Sequence, residues 1–413
     1  MVMETRIKLG VFFHYLPELP KIGLKNFISL MRRLLFFLSK MKHNKYIKLK
    51  NGIRLDLYVP TYPSEAFFTA TDKFKIFDGN KFPCTTALIS VTNACGFKCE
   101  HCYQKLDNGD DVQIDILIDT VKKLQNMGVA FFNIEGGEPF LKYERLKAVF
   151  EAIDERSEIW VNSTGMGMTI ERLKELKIEA IMFSLHSGEP AELNKFMGRG
   201  DAWSYMEKGV EMCRKAGVSV TFNTCLMKDG FYNGAFEKIM ETAKNFNASL
   251  VQLIKPKSAG AWLKNSAGFF SEEDMKIAVD KINLYNHDKK YKDYPAISAQ
   301  ILEESPDVFG CTAGGTDRFY VNAKGDVQPC EFLNISFGNI NQENFDIIYK
   351  RMREVFHTPG DCMLCEQSAG KINRLFTENN LSALPLPPEL SKEIYGNWKA
   401  GKETDLYKKA NEL

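Results

Sequence analysis

The chain has 413 residues, 44% of them apolar, with 54 Lys and Arg against 53 Asp and Glu and a formal net charge of +1. That length allows two or three packed units around a sizeable core, and the charge balance excludes a global electrostatic case for a nucleic-acid partner. Seven of the ten cysteines fall into two tight groups, which in a chain this long reads as metal ligation in a reducing compartment rather than a secreted disulfide scaffold.

Residues 1–82 form a unit unlike the rest. Between Pro20 and Leu55 there are many Lys and Arg and no acidic residue. Leu24, Phe27, Ile28, Met31, Leu34, Leu35, Leu38 and Met41 recur at helical spacing, while Lys25, Ser29, Arg32, Arg33 and Lys40 fall on the other face, so a basic amphipathic helix is expected. No apolar run approaches the ~20 residues that span a bilayer. The helix either lies on an anionic membrane surface through residues 21–50 or docks on its own protein with its lysines solvated. Next, YIKLKNGIRLDLYV alternates about Asn51-Gly52 and predicts a hairpin with a type I′ turn. The N-terminus shows no short apolar core followed by a small-residue cleavage site, so a cytoplasmic location is expected.

From residue 83 to 304, short β-type runs alternate with 3.6-periodic segments. TALISVT, VAFFNIE, EIWVNS, AIMFSLH, VSVTFNTCL and SLVQLIKP give six strands, and Ser271 with Asp274 predicts a capping box opening the closing helix. Repeated βα units demand parallel strands with right-handed crossovers, hence an α/β fold, a partial (β/α)6 barrel whose chemistry sits at the strand C-termini. Residues 305–387 carry the remaining clustered thiols and a hairpin, RFYVNAKGDVQPC, in a small α+β unit; residues 388–413 are a basic, helix-prone tail.

The stretch CGFKCEHC sets Cys95, Cys99 and Cys102 at C-x3-C-x2-C on the loop after the first strand. Three thiolates ligate three irons of a cubane cluster and leave the fourth open. The alternative is zinc, which in structural sites takes four closed ligands; His101 is too close to two of the thiols to be an obvious fourth. Strand two ends in Glu135-Gly136-Gly137-Glu138-Pro139, whose glycines allow close approach of backbone carbonyls to a cation. Its plainer reading is a strand-to-helix turn.

C-x3-C-x-aromatic-C followed one βα unit later by GGEP resembles the signature of the radical S-adenosylmethionine (SAM) superfamily. The resemblance covers residues 85–370 and implies a SAM-binding [4Fe–4S] cluster on Cys95, Cys99 and Cys102. It implies His101, in place of the usual Tyr, Phe or Trp, against the adenine, with Tyr103 sharing that role. Gly136, Gly137 and Glu138 are implied on the methionine amino group, Asn162 and Asn223 near the ribose, and Ser184 with Arg199 on the carboxylate. Cys311, Cys330, Cys362 and Cys365, with C-x13-G-x4-C turning at Gly325, resemble a twitch-like or truncated SPASM domain holding a second, auxiliary [4Fe–4S] cluster, four thiolates being equally a closed zinc set. Cys84, Cys213 and Cys225 read as core residues.

The implied reaction is reductive cleavage of SAM to a 5′-deoxyadenosyl radical that abstracts hydrogen from an unactivated carbon, with a low-potential donor such as ferredoxin or flavodoxin supplying the electron. The substrate is a lipid or isoprenoid-like molecule if the basic helix brings the barrel mouth to a membrane, or a peptide or protein if the N-terminal unit recognises one, as in SPASM maturases. A non-catalytic iron–sulfur or zinc-binding protein is the reading from another class.

Overall fold

The computed structural model describes residues 2–41, 45–77, 82–264, 270–396, 398 and 401–413; Lys42, part of the basic stretch, lies outside them. Helices α1 (Val2–Tyr15) and α2 (Leu19–Lys40) open the chain, α2 breaking at Gly23, where φ is +79°. Of the expected apolar face, Phe27, Met31, Leu34, Leu38 and Met41 are buried, but Leu24, Ile28 and Leu35 are exposed; the buried arc is rotated to take in Leu30, Phe37 and Arg33. The Arg33 guanidinium donates to the carbonyls of Ala410 at 3.0 Å and Ile76 at 2.6 Å, so this cation caps buried backbone rather than facing solvent.

Strands β1 (Ile47–Lys48) and β2 (Ile53–Arg54) pair antiparallel with Lys48 opposite Ile53, where the hairpin was expected. The turn is not type I′, which needs φ > 0 at both central residues: neither Asn51 nor Gly52 has a positive φ. Gly52 serves close approach instead, since a Cβ there would stand 2.4 Å from the Tyr62 carbonyl oxygen. Helix α3 (Glu65–Thr71) follows, with the Ser64 hydroxyl capping the Phe67 amide.

The barrel region runs β3 (Thr86–Ser90), α4 (Ile114–Asn126), β4 (Phe131–Glu135), α5 (Tyr143–Glu151), β5 (Glu158–Ser163), α6 (Ile170–Glu175) and β6 (Ala180–Ser184). It continues with α7 (Pro190–Phe196), α8 (Ala202–Ala216), β7 (Ser219–Cys225), α9 (Ala235–Asn245), β8 (Leu250–Ile254), α10 (Glu272–His287), β9 (Ala296–Ala299) and α11 (Gln300–Glu303). Strands β3 to β9 pair in parallel in chain order. The predicted strands are all present, and the sheet extends past them. Ala296–Ala299 adds a strand too short and small-chained to stand out in the sequence, and β10 (Arg318–Val321), from the C-terminal hairpin, pairs parallel with β3. The hairpin closes to β11 (Val327–Gln328) through Gly325, at φ +94°. The Ser271–Asp274 capping box is formed on both sides.

Strand alternation sorts the sheet's two faces. Ile134, Val161, Phe183, Phe222, Val251 and Ile297 pack outward into the main core under the helices. The lumen face carries Ser90, Glu135, Asn162, Asn223, Gln252 and Ser298, polar for most of its circumference, with Ser90 opposite Glu135 and Asn223 opposite Gln252.

Residues 45–61 close the N-terminal end of this barrel. The Lys50 amide donates to Ser219 at 3.2 Å, the Asn51 side chain to Glu179 at 2.6 Å, and the Thr61 amide to Glu158 at 2.6 Å. Arg54, fully buried, lies over the rings of Trp160 at 4.2 Å and Phe131 at 4.3 Å and stands 3.5 Å from Glu158. Ser219, Glu158 and Phe131 open their strands and Glu179 immediately precedes β6, so the N-terminal unit sits at the end opposite the three-thiol loop, and the expectation that its helix brings the barrel mouth to a membrane is corrected.

The chain finishes with α12 (Phe345–Val355), α13 (Leu364–Glu378), α14 (Pro388–Tyr395) and α15 (Asp405–Glu412). Helix α15 returns to the N-terminal unit, where Leu406, Tyr407 and Ala410 join a second core with Phe37 and Phe74. Among the described residues no helix is long and apolar enough to cross a membrane.

Candidate active site

The loop after β3 brings Cys95, Cys99 and Cys102 to one pocket at the C-terminal rim of the barrel, lined also by His101, Gly136, Gly137 and Ser184. Backbone bonds hold it: Lys98 donates to the Met197 carbonyl at 3.2 Å and Glu100 to Phe196 at 2.9 Å. The GGEP turn is zipped to the same loop, Gly137 donating to Thr92 at 2.7 Å and Glu138 to Ala94 at 2.8 Å. A Cβ on Gly136 would stand 2.7 Å from the Thr92 oxygen, and one on Gly137 2.5 Å from that of Ala94. The glycines are thus required for the two turns to meet, before any ligand is considered.

Burial pushes the Cys95 thiol up to about 11 and Cys99 to about 12, and raises Cys102. As bare thiols they hold their protons at neutral pH. Metal cations provide the compensation that makes buried thiolates, and three thiols sharing one rim pocket fit a cluster with an open iron.

Glu138 departs from expectation. It is wholly buried, and its carboxylate accepts from the Thr164 amide at 2.7 Å, the Thr164 hydroxyl at 2.5 Å, the Ser163 hydroxyl at 2.8 Å and the Phe140 amide at 3.3 Å. Those bonds tie the ends of β4 and β5 together, and they occupy the carboxylate expected to meet a methionine ammonium. Burial raises its pKa and the hydrogen bonds oppose that rise.

His101 stacks on Phe196 at 4.8 Å and meets His186 edge-on at 4.3 Å, with Trp262 alongside. Desolvation lowers it to about 4, so the ring is neutral, and its Nδ1 has no hydrogen-bond partner. Tyr103 lines the pocket but sends its hydroxyl down to Glu135, its ring 6.0 Å from Tyr320 and 5.8 Å from Phe332. Ser184 ends β6 opposite Asn223 of β7. Asn162 donates to Glu135 at 2.9 Å. Arg199 pairs with Asp201 at 2.6 Å and reaches the Gly96 carbonyl at 3.1 Å, touching the three-thiol loop through its backbone.

In the second thiol group, Cys311 bridges to Gly360 at 2.8 Å through its amide, Cys365 lies in the first turn of α13, and Cys330 is buried. Cys365 lies within electrostatic reach of both Cys311 and Cys330, and Cys362 precedes α13, its Sγ 2.7 Å from where a Cβ on Gly401 would lie. Burial is the first cause raising Cys311, Cys330 and Cys365, the last to about 12. Lys257, from the loop after β8, is buried against this group with its ammonium 3.0 Å from Glu304 and 2.8 Å from Glu366. Among the described residues no three His, Cys, Asp or Glu side chains converge as a single metal ion requires. Cys84, Cys213 and Cys225 are buried core residues.

Sequence reading overlooked the lumen. Glu135 is buried with Tyr103, Asn133 and Asn162 as its hydrogen-bond partners, and desolvation, then the charge of Glu331, pushes it up to about 8. The Oδ1 atoms of Asn133 and Asn162 have no donor. Period-two alternation in FFNIE carried the signal, putting Asn133 and Glu135 on the same face as the strand end beside GGEP.

An open parallel barrel with a three-thiol loop at its rim and a second thiol group packed beside it defines an iron–sulfur α/β barrel. The chain belongs to the radical SAM superfamily, whose model matches residues 89–243, and it carries an iron–sulfur cluster-binding domain, SPASM, over residues 311–367. It is an enzyme, and its cofactors are SAM, a SAM-binding [4Fe–4S] cluster and auxiliary iron–sulfur ligation. Similar curated proteins include AdoMet-dependent heme synthases of Nitratidesulfovibrio vulgaris and Oleidesulfovibrio alaskensis, each 23% identical over 68% of this chain and covering 85% and 80% of their own. Among solved structures, Streptococcus suis SuiB bound to precursor peptide SuiA has a TM-score of 0.53 at 14% identity, covering 68% of each chain. The AdoMet-bound enzyme anSMEcpe has a TM-score of 0.51 at 15% identity, covering 80% of this chain and 95% of its own. These likenesses show a shared fold.

Proposed function

We propose that Cys95, Cys99 and Cys102 hold the SAM-binding cluster, that Cys311, Cys330, Cys362 and Cys365 hold one auxiliary cluster, and that the substrate is a hydrogen-bond-donating, peptide-like molecule entering the polar lumen. When bound, cluster and SAM supply reductive cleavage to methionine and a 5′-deoxyadenosyl radical that takes hydrogen from carbon. The observation that carries the site assignment is the meeting of the three thiols with Gly136, Gly137 and Ser184 at one rim pocket. His101, neutral and stacked on Phe196, offers a flat face for adenine, and Ser184 and Asn223 offer hydroxyl and amide groups on adjoining strands. Arg199 steadies the thiol loop through Gly96 and serves the SAM carboxylate only if it releases Asp201.

The lumen supports the substrate class. The orphaned carbonyls of Asn133 and Asn162 are acceptors awaiting donors, and leaving them unpaired against a bare hydrocarbon costs about 1–3 kcal/mol each. A low-potential donor such as ferredoxin or flavodoxin supplies the electron, and ten free thiols suit a reducing cytoplasm.

Anaerobic reconstitution tests the proposal. The wild type should bind roughly eight irons and release 5′-deoxyadenosine from SAM under strong reductant, and Cys99→Ala should abolish that release. Stoichiometric zinc without colour, or cleavage surviving Cys99→Ala, refutes it. The substrate class is tested by hydrogen transfer into deoxyadenosine from deuterated candidates, peptide against lipid.

A further inference from the structure

We infer that α1 and α2 together form a membrane-surface docking face that takes anionic bilayer headgroups and the acyl boundary beneath them. This inference is independent of the substrate proposed for the lumen.

Most of the expected apolar face of α2 is spent on the protein's own core, yet Leu24, Ile28 and Leu35 at its edge remain exposed. Of the thirteen large hydrophobic side chains exposed among the described residues, eight fall between Met3 and Leu35. In α1 and the turn after it, Ile7, Val11 and Tyr15 turn inward, while Leu9, Phe12, Phe13 and Leu16 recur at i, i+3, i+4 and i+7 on the outside, Leu9 52% and Phe13 63% exposed. In α2, Leu24, Ile28 and Leu35 form the matching outer stripe, Leu24 65% exposed. Leu9 and Phe12 of α1 face Ile28, Met31 and Leu35 of α2 across one apolar groove of about 1040 Å³, open to solvent. An exposed apolar surface of this kind, on two neighbouring helices, marks an interaction site.

Charge selects the occupant. Arg32 lines the groove one turn from Ile28 and Leu35, and Lys25 follows Leu24 on the same outer arc. Neither has an ion-pair partner among the described residues, whereas Lys8 pairs with Glu4. No acidic residue occurs between Leu19 and Leu55. A second copy docking face to face would bring like charges together, and an apolar stripe bordered by unpaired cations is the pattern of helices lying in an anionic interface. Crossing is excluded for the described helices, so the association is with the surface. Arg33, Arg54 and Lys45 take no part: the first two are buried, and Lys45 donates to the carbonyls of Tyr291 and Tyr294 at 2.6 and 3.1 Å.

Flotation of the full chain with vesicles of phosphatidylglycerol and phosphatidylcholine tests this. Wild type should float with the anionic vesicles at low salt and bind pure phosphatidylcholine far more weakly. Lys25→Gln with Arg32→Gln should lower anionic binding on the order of 30-fold, and Phe13→Ser with Ile28→Ser should lower it at least tenfold. All four positions are at the surface, so folding should hold, checked by unchanged SAM cleavage. Ile347→Ser, at a distant exposed apolar site, should change nothing. No flotation of wild type, binding indifferent to the apolar pair, or a Phe13-dependent dimer in light scattering each overturns the inference.

Discussion

Replacing Glu138 by Ala separates two roles for the GGEP carboxylate. In the wild type it is fully buried and accepts from two backbone amides, Thr164 at 2.7 Å and Phe140 at 3.3 Å, and from two hydroxyls. Hydroxyls can turn to other acceptors, but the amides are fixed by the ends of β5 and the turn after β4. A buried donor left without a partner costs about 1–3 kcal/mol, so Glu138→Ala should cost about 2–6 kcal/mol before any cavity term, and Glu138→Gln less, because its carbonyl still accepts. Urea denaturation of anaerobically purified protein, followed by tryptophan fluorescence with Trp160 buried in the barrel, reads the loss as a lower midpoint. SAM affinity of the folded fraction should fall only as far as the thiol loop loosens. An unchanged midpoint with selectively weakened SAM binding would refute the clamp and return the carboxylate to the ligand.

Other perturbations follow from the same geometry. Gly137→Ala puts a methyl 2.5 Å from the Ala94 carbonyl oxygen, against backbone that cannot yield; iron should fall by roughly four per chain with the auxiliary site spared, and full iron loading would contradict it. Cys330→Ser should leave SAM cleavage measurable while product formation falls, so unaffected turnover would argue against a role for the second thiol group. Glu135 binds its proton up to about pH 8 in the folded state against an ordinary 4.5. The folded chain therefore holds more protons between those values, and this group's stabilisation, complete below pH 4.5, is lost as pH rises towards 8 by at most about 1.4 kcal/mol per unit. Glu135→Gln should flatten that part of the urea-midpoint profile, and an identical slope in both proteins would show that Glu135 titrates normally.

What the sequence by itself determined was periodic and local. Strand and helix periods marked the βα series, Ser271 and Asp274 marked a cap, and cysteine spacing grouped the thiols, because each signal is carried by residues a few positions apart. Tertiary structure alone decided the rest. Asn51-Gly52 announced a turn, but the approach of Tyr62 set its type. Ala296–Ala299 became a strand through pairing with β8, which four residues with only Ile297 large and apolar cannot advertise. Helical spacing identified one broad apolar arc on α2 without saying which edge of it would be buried; the returning α15 and the backbone around Phe74 rotated the buried side towards Leu30, Leu34 and Phe37 and took Arg33 with them. The same holds for Glu138, whose neighbours in sequence suggest a ligand while donors from β5, more than twenty residues on, claim its oxygens. A side chain's partner is fixed by which strands the sheet brings together, and no window along the chain contains that information.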